Sequence, residues 1–210
     1  NITGSGVSVD APLTIGAYGV GNRPIVKASM RALLITAPAK FIRLESLEFS
    51  DMALTLNGSS AVILSHAVTD DAYVTLSDVV VRNITDASGG STGQDCLLLK
   101  GRHNTVINSN ISHCAQDGIQ FYGDYFTAIG NTIRHVSEGD LFGDTIQGST
   151  DANYFYIAHN TLDHSMNAAK QGFVLADAGV RSDVGGGVFW GNTITMGAGP
   201  VASYCIYTEQ

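Results

Sequence analysis

The segment Asp95-Cys-Leu-Leu-Leu-Lys100-Gly recurs as Asp117-Gly-Ile-Gln-Phe-Tyr122-Gly and as Asp144-Thr-Ile-Gln-Gly-Ser149, with a degenerate fourth copy, Gln171-Gly-Phe-Val-Leu-Ala176. A second family of segments lies between the members of the first: Val106-Ile-Asn-Ser-Asn-Ile-Ser-His113, Ala128-Ile-Gly-Asn-Thr-Ile-Arg-His135, Tyr156-Ile-Ala-His-Asn-Thr-Leu-Asp-His164 and Val188-Phe-Trp-Gly-Asn-Thr-Ile-Thr195. Weaker copies stand earlier, at residues 41–49 and 74–81. Within each segment apolar and polar residues alternate, the period of a half-buried strand, and glycine or asparagine punctuates the joins. Strands this short with no amphipathic helix between them exclude a solenoid of strands and helices. What remains is an all-β coil in which successive turns stack strand on parallel strand, each burying its inward face on the next.

Composition agrees with that reading. Hydrophobic residues make up 44% of the 210 and charged residues 14%, and 24 glycines against 4 prolines indicate many tight turns rather than linkers. A net charge of −8 excludes a phosphate-tracking nucleic-acid binder, which needs a basic stripe. No stretch approaches the roughly 18 apolar residues of a membrane-spanning helix, so no membrane partner is expected. Cys96, Cys114 and Cys205 are too scattered for a disulfide framework and are expected to be buried thiols.

The Asn-Thr-Ile/Leu segments followed by Asp-Gly-Ile-Gln strands resemble the repeats of right-handed parallel β-helix proteins of the pectate, alginate and chondroitin lyase-like group. The opening Pro12-Leu-Thr-Ile-Gly-Ala-Tyr-Gly-Val-Gly-Asn-Arg-Pro-Ile-Val26 is similar to an early coil of such enzymes. The resemblance implies one β-helix domain over residues 1–210, a polysaccharide substrate and a secreted or periplasmic location. Those proteins usually carry a capping element before the Ala-Tyr-Gly segment. Its absence here implies an N-terminally incomplete chain, or an end covered by a partner, since an uncapped end is open to self-association.

Registering the coils turns the sequence into files of side chains. In the first family Leu97, Ile119, Ile146 and Phe173, then Leu99, Phe121, Gly148 and Leu175, are expected to face the core. The outer face is expected to show Asp95, Asp117 and Asp144, then Leu98, Gln120 and Gln147, then Lys100, Tyr122 and Ser149. Stacked coils are about 4.8 Å apart. Carboxylates at that spacing repel, so the Asp file is read either as a Ca²⁺ site built from oxygen ligands or as a set of turn caps bonded to backbone N–H groups. His113, His135 and His164 form a second file, read as general bases or as a structural stack. Asn131, Asn160 and Asn192 form a third, expected to hydrogen-bond along the solenoid.

Two longer connections, residues 136–143 and 165–170, are expected to wall a binding site beside the Asp file. Lys170 ends the second and is read as a cationic base or as a solvated lysine.

For β-elimination from a uronate, an enzyme must neutralise the sugar carboxylate, remove the C5 proton and protonate the leaving oxygen. His135, His164 and Lys170 are the candidate bases and Tyr122 the candidate acid. Lys100, Gln120, Gln147 and His113 are candidate substrate contacts, and Asp95, Asp117 and Asp144 the candidate metal ligands. The Asp-Pro-His-Asp motif of mannuronan C5-epimerases and the paired-Asp and Gly-His-Gly pattern of polygalacturonases are absent. Hydrolysis stays open, because carboxylates two coils apart fall near the inverting separation. The rival from another class is a non-catalytic, tailspike-like or adhesin-like glycan-binding solenoid, which uses the same outer face without poised acid–base groups.

Overall fold

The computed structural model describes residues 1–29, 31–55, 58–87, 94–138, 143–149, 152–164, 171–176, 186–197 and 204–209. Its strands form three parallel sheets of seven, and each coil visits the sheets in the same order. One central coil places Thr105–Ile107 in the first sheet, Asn110–Cys114 in the second and Ile119–Tyr122 in the third. The next coil repeats this with Thr127–Ile129, Thr132–Arg134 and Ile146–Gly148. The chain is therefore an all-β parallel β-helix. Among the described residues there is no helix long and apolar enough to cross a membrane.

The corners are made by single residues in the left-handed region. Phe41, Tyr73, His103, Tyr125 and Tyr154, with φ between 51° and 61°, precede the first sheet. Ser46, Asp78, Asn108, Gly130, His159 and Gly191 join the first sheet to the second, and Asp51, Asn83, His113 and His135 bend the second toward the third. Asn, Asp, His and Gly dominate the last two files because they tolerate this conformation best. A left-handed residue breaks the in-out alternation of a strand, so its side chain is thrown outward where the next one turns in.

The interior is a set of aligned apolar files. Leu97, Ile119, Ile146 and Phe173 pair in register, as do Leu99, Phe121, Gly148 and Leu175, and all but the partly buried Leu175 lie inside as the alternation requires. Gly148 makes room for a neighbour: a Cβ there would meet Phe121 Cζ at 2.8 Å and Leu175 Cδ1 at 2.9 Å. The asparagine file forms as expected. Asn160 Oδ1 accepts from the Asn131 backbone N–H at 2.9 Å, and Asn160 Nδ2 donates to Ala128 O at 3.0 Å. The same pattern repeats between Asn192 and Asn160 and reaches Ser109, so buried corner amides are satisfied across consecutive coils.

The cysteine expectation needs correction. Cys96 and Cys114 are joined in a disulfide with their Cα atoms 5.5 Å apart, and Cys205 is exposed. Cys96 enters a third-sheet strand while Cys114 leaves the second-sheet strand of the following coil, so stacking brings them together although 18 positions separate them.

Candidate functional site

Asp95, Asp117 and Asp144 do form a file, but on the inner side: their relative exposures are 2%, 0% and 4%. Asp95 Oδ1 accepts the backbone N–H of Asp117 at 3.3 Å, and Asp117 Oδ1 that of Asp144 at 2.7 Å. The outward placement expected from sequence is thus corrected. Period two puts the leading Asp on the same side as the residues two and four positions later, which are core. Burial pushes the Asp95 carboxyl up to about 7. A Ca²⁺ ion takes six to eight oxygen ligands, and here one oxygen each of Asp95 and Asp117 is already held by a backbone amide, so this donor set does not suit the ion.

The third sheet carries the expected polar strip. Lys100 pairs with Tyr122 and Gln120 with Gln147 in the strand register, all four half-buried on the outer face. Lys100 Nζ lies 4.9 Å from the centre of the Tyr122 ring, and Gln120 Nε2 donates to Gln147 Oε1 at 3.0 Å. Burial raises the Tyr122 pKa, its hydrogen bond with Ser149 partly offsets this, and the nearby Asp95 and Asp117 add smaller raising contributions. No hydrogen bond or ion pair among the described residues joins this strip to the histidines. Lys170 lies outside the described residues.

The histidine file divides. His113 and His135 sit on left-handed corners and face outward, whereas His164 continues its strand without such a corner. Alternation then places His164 on the side of Leu162, and it is 1% exposed. A polysaccharide cannot reach it, so His164 is no candidate base.

His113 and His135 instead join a residue that the sequence reading left unassigned. His113 Nδ1 lies 2.7 Å from Glu138 Oε1, and His113 Nε2 lies 3.2 Å from His135 Nδ1, the two rings meeting edge to face. A carboxylate can only accept, so His113 donates from Nδ1 and, when neutral, accepts at Nε2. His135 Nδ1–H fills that position. No described residue takes the lone pair of His135 Nε2. Glu138 stands three positions after His135, at the start of the first long connection, and its backbone N–H donates to Cys114 O at 3.0 Å. That position was the available signal.

Arg134 precedes His135, is exposed, and makes no ion pair with any described residue. The other corner residues of this file are already engaged. Hydrogen bonds from Asn83, then Lys27, hold the Asp51 carboxyl down to about 2. Arg82 donates twice to Glu48 Oε1, at 2.7 and 3.1 Å.

The donor atoms of His113, His135 and Glu138 all lie within 4.8 Å of one another. Two imidazoles and one carboxylate suit a transition-metal ion better than Ca²⁺, but the contacts present are those of a hydrogen-bonded relay.

No family model and no curated protein matches the chain. Among solved structures it is similar to the A-module of a mannuronan C-5 epimerase from Azotobacter vinelandii, at 13% identity and TM-score 0.48, covering 88% of this chain and 57% of that one. It is also similar to the GH136 lacto-N-biosidase from Eubacterium ramulus, at 10% identity and TM-score 0.33, covering 89% and 58%. The chain thus spans somewhat more than half the length of each, and neither likeness bears on its chemistry.

Proposed function

We propose that this chain is a carbohydrate-active β-helix protein that cleaves an acidic, uronate-containing polysaccharide by β-elimination. The observation carrying this reading is the Glu138–His113–His135 relay on the outer face, with the exposed Arg134, unpaired among the described residues, next to His135 in the chain. His135 Nε2 takes the C5 proton. Arg134 neutralises the uronate carboxylate and so stabilises the negative charge that develops as this C–H bond breaks. The electron pair forms the C4–C5 double bond, the C4–O bond breaks, and the leaving oxygen takes its proton from water or from the imidazolium. His113 and Glu138 hold the His135 tautomer, as an orienting carboxylate does for a catalytic histidine elsewhere.

Of the earlier site residues, His135 keeps its role as base, and His113 becomes a positioning residue rather than a substrate contact. The Lys100, Gln120, Tyr122 and Gln147 strip is retained as a second stretch of polar surface for the same chain. The Cys96–Cys114 bridge supports an oxidising, secreted or periplasmic location.

The test is incubation with a panel of polyuronates, following the ultraviolet absorbance of the unsaturated product. Product that vanishes in His135→Ala supports the assignment. Binding without product supports the glycan-binding solenoid. Inversion at C5 without cleavage identifies an epimerase, which shares the proton abstraction but returns the proton to the opposite face.

A further inference from the structure

On the first sheet, away from the relay, Phe41, Tyr73, His103, Tyr125 and Tyr154 stack ring on ring over five successive coils, with centroids 5.1, 4.4, 4.6 and 5.3 Å apart and interplanar angles of 23° or less. Two residues after four of these rings stand Arg43, Thr75, Thr105 and Thr127, which pair with one another in strand register. The ring file is a ridge and the threonine file a floor. Between them runs an open groove of about 410 Å³, lined by Tyr73, Thr75, His103, Thr105, Tyr125 and Thr127 with Val9 and Pro12 at one end.

Because its walls come from four consecutive coils, the groove runs along the solenoid for roughly 15 Å. The inner rings use their faces against one another, so a ligand meets their edges. Together with the threonine hydroxyls they offer groups that both donate and accept, once per coil. Arg43, the one Lys or Arg among the described lining residues, is held by Glu45 at 3.0 Å and by Ser77 at 3.2 Å. The groove therefore lacks the free positive charge that a polyanion such as nucleic acid requires. It also lacks the wide apolar patch that a protein helix or a lipid requires.

We infer that this groove is a non-catalytic binding site for a linear glycan, roughly three sugar rings long, lying parallel to the solenoid axis and hydrogen-bonded through its hydroxyls to the threonine floor and the ring edges. The inference does not rest on the lyase reading, since the groove residues take no part in the relay.

The test titrates short uncharged linear oligosaccharides (cello-, xylo- and manno-oligosaccharides) calorimetrically into the His135→Ala protein, so that no turnover interferes. At least one is expected to bind saturably. Combining Tyr73→Phe, Thr105→Val and Tyr125→Phe, which strips hydroxyls but keeps the stack, should weaken that binding by at least about tenfold. If the combined variant does not fold, Tyr125→Phe alone must give a measurable loss. The inference is overturned if no probe binds, if the variants bind like the parent, or if sedimentation shows a dimer of this chain that the variants dissolve, which would make the groove a contact between copies. These readouts stand whether or not any polyuronate is cleaved.

Discussion

His113 and His135, on neighbouring coils, are in direct contact through Nε2 and Nδ1 at 3.2 Å, while the next histidine of the same file, His164, is buried. A sequence periodic in histidine therefore yields a pair rather than a column. The pair is anchored from below by the Cys96–Cys114 disulfide, whose second cysteine directly follows His113.

From that contact, His135→Ala should lower turnover of a polyuronate by roughly 10²–10⁴-fold, the usual worth of a positioned base. Glu138→Gln should lower kcat by a smaller factor and leave KM nearly unchanged, since Glu138 acts through His113. Steady-state kinetics of the two variants check this. A Glu138→Gln enzyme with parental kcat would remove the relay from the mechanism.

Metal dependence is expected to be absent, because the relay works through hydrogen bonds and the Asp file does not suit a cation. Turnover should survive exhaustive treatment with a chelator. Zinc, by contrast, should inhibit by capturing the lone pair of His135. Loss of activity on chelation and its return with calcium would contradict the mechanism.

The disulfide closes a loop between positions 18 apart and should contribute about 3 kcal/mol, so a Cys96→Ala, Cys114→Ala double variant should unfold at correspondingly lower denaturant. Denaturation of the parent with and without reductant measures the same quantity. An unchanged midpoint in both experiments would mean that the bridge adds nothing to stability.

Asp95 ties stability to pH. Its carboxyl is raised to about 7 in the folded chain from an ordinary value of 3.8, so between those values the folded state holds a proton that the unfolded state has lost. Stability from this group is therefore greatest at acid pH, falls as pH rises through that window, and levels off above about 7. Asp95→Asn should melt higher than the parent at pH 8 and lose that advantage toward pH 5. Parallel melting curves across this range would show that Asp95 does not carry the effect.

Gly148→Ala should overpack the core against Phe121 and Leu175 and cost about 1–3 kcal/mol. Adding Phe121→Leu should restore part of the loss. Double-mutant melts check this, and additive losses would place the strain elsewhere.

The coil was legible because its signals are local and repeated: apolar alternation, corner asparagines and the order of the two segment families. Which side a residue faces was less legible at the corners. Strict period two sets Asp95, Asp117 and Asp144 on the side of Leu97, Ile119 and Ile146, so an outward expectation for them has the wrong phase. The fate of His164 could not be read in this way, because one left-handed residue reverses the phase and nothing in the Leu-Asp-His triplet announces its absence. Glu138 and the Cys96–Cys114 bridge depend on contacts between coils, which appear only once the register is fixed. The ring file is hidden in the sequence for a simpler reason: its members mix Phe, Tyr and His, so no single letter repeats.

The single-residue corners make the molecule extensible in whole units. The rungs opened by Phe41, Tyr73, His103 and Tyr125 each run from one left-handed residue to the next of that file, so a duplicated rung could be spliced in there without disturbing those above or below. Such an insertion would lengthen the threonine floor and the ring ridge by one further step each. The length of sugar chain held would then grow by steps, with the gauge set by the number of rungs rather than by any one side chain.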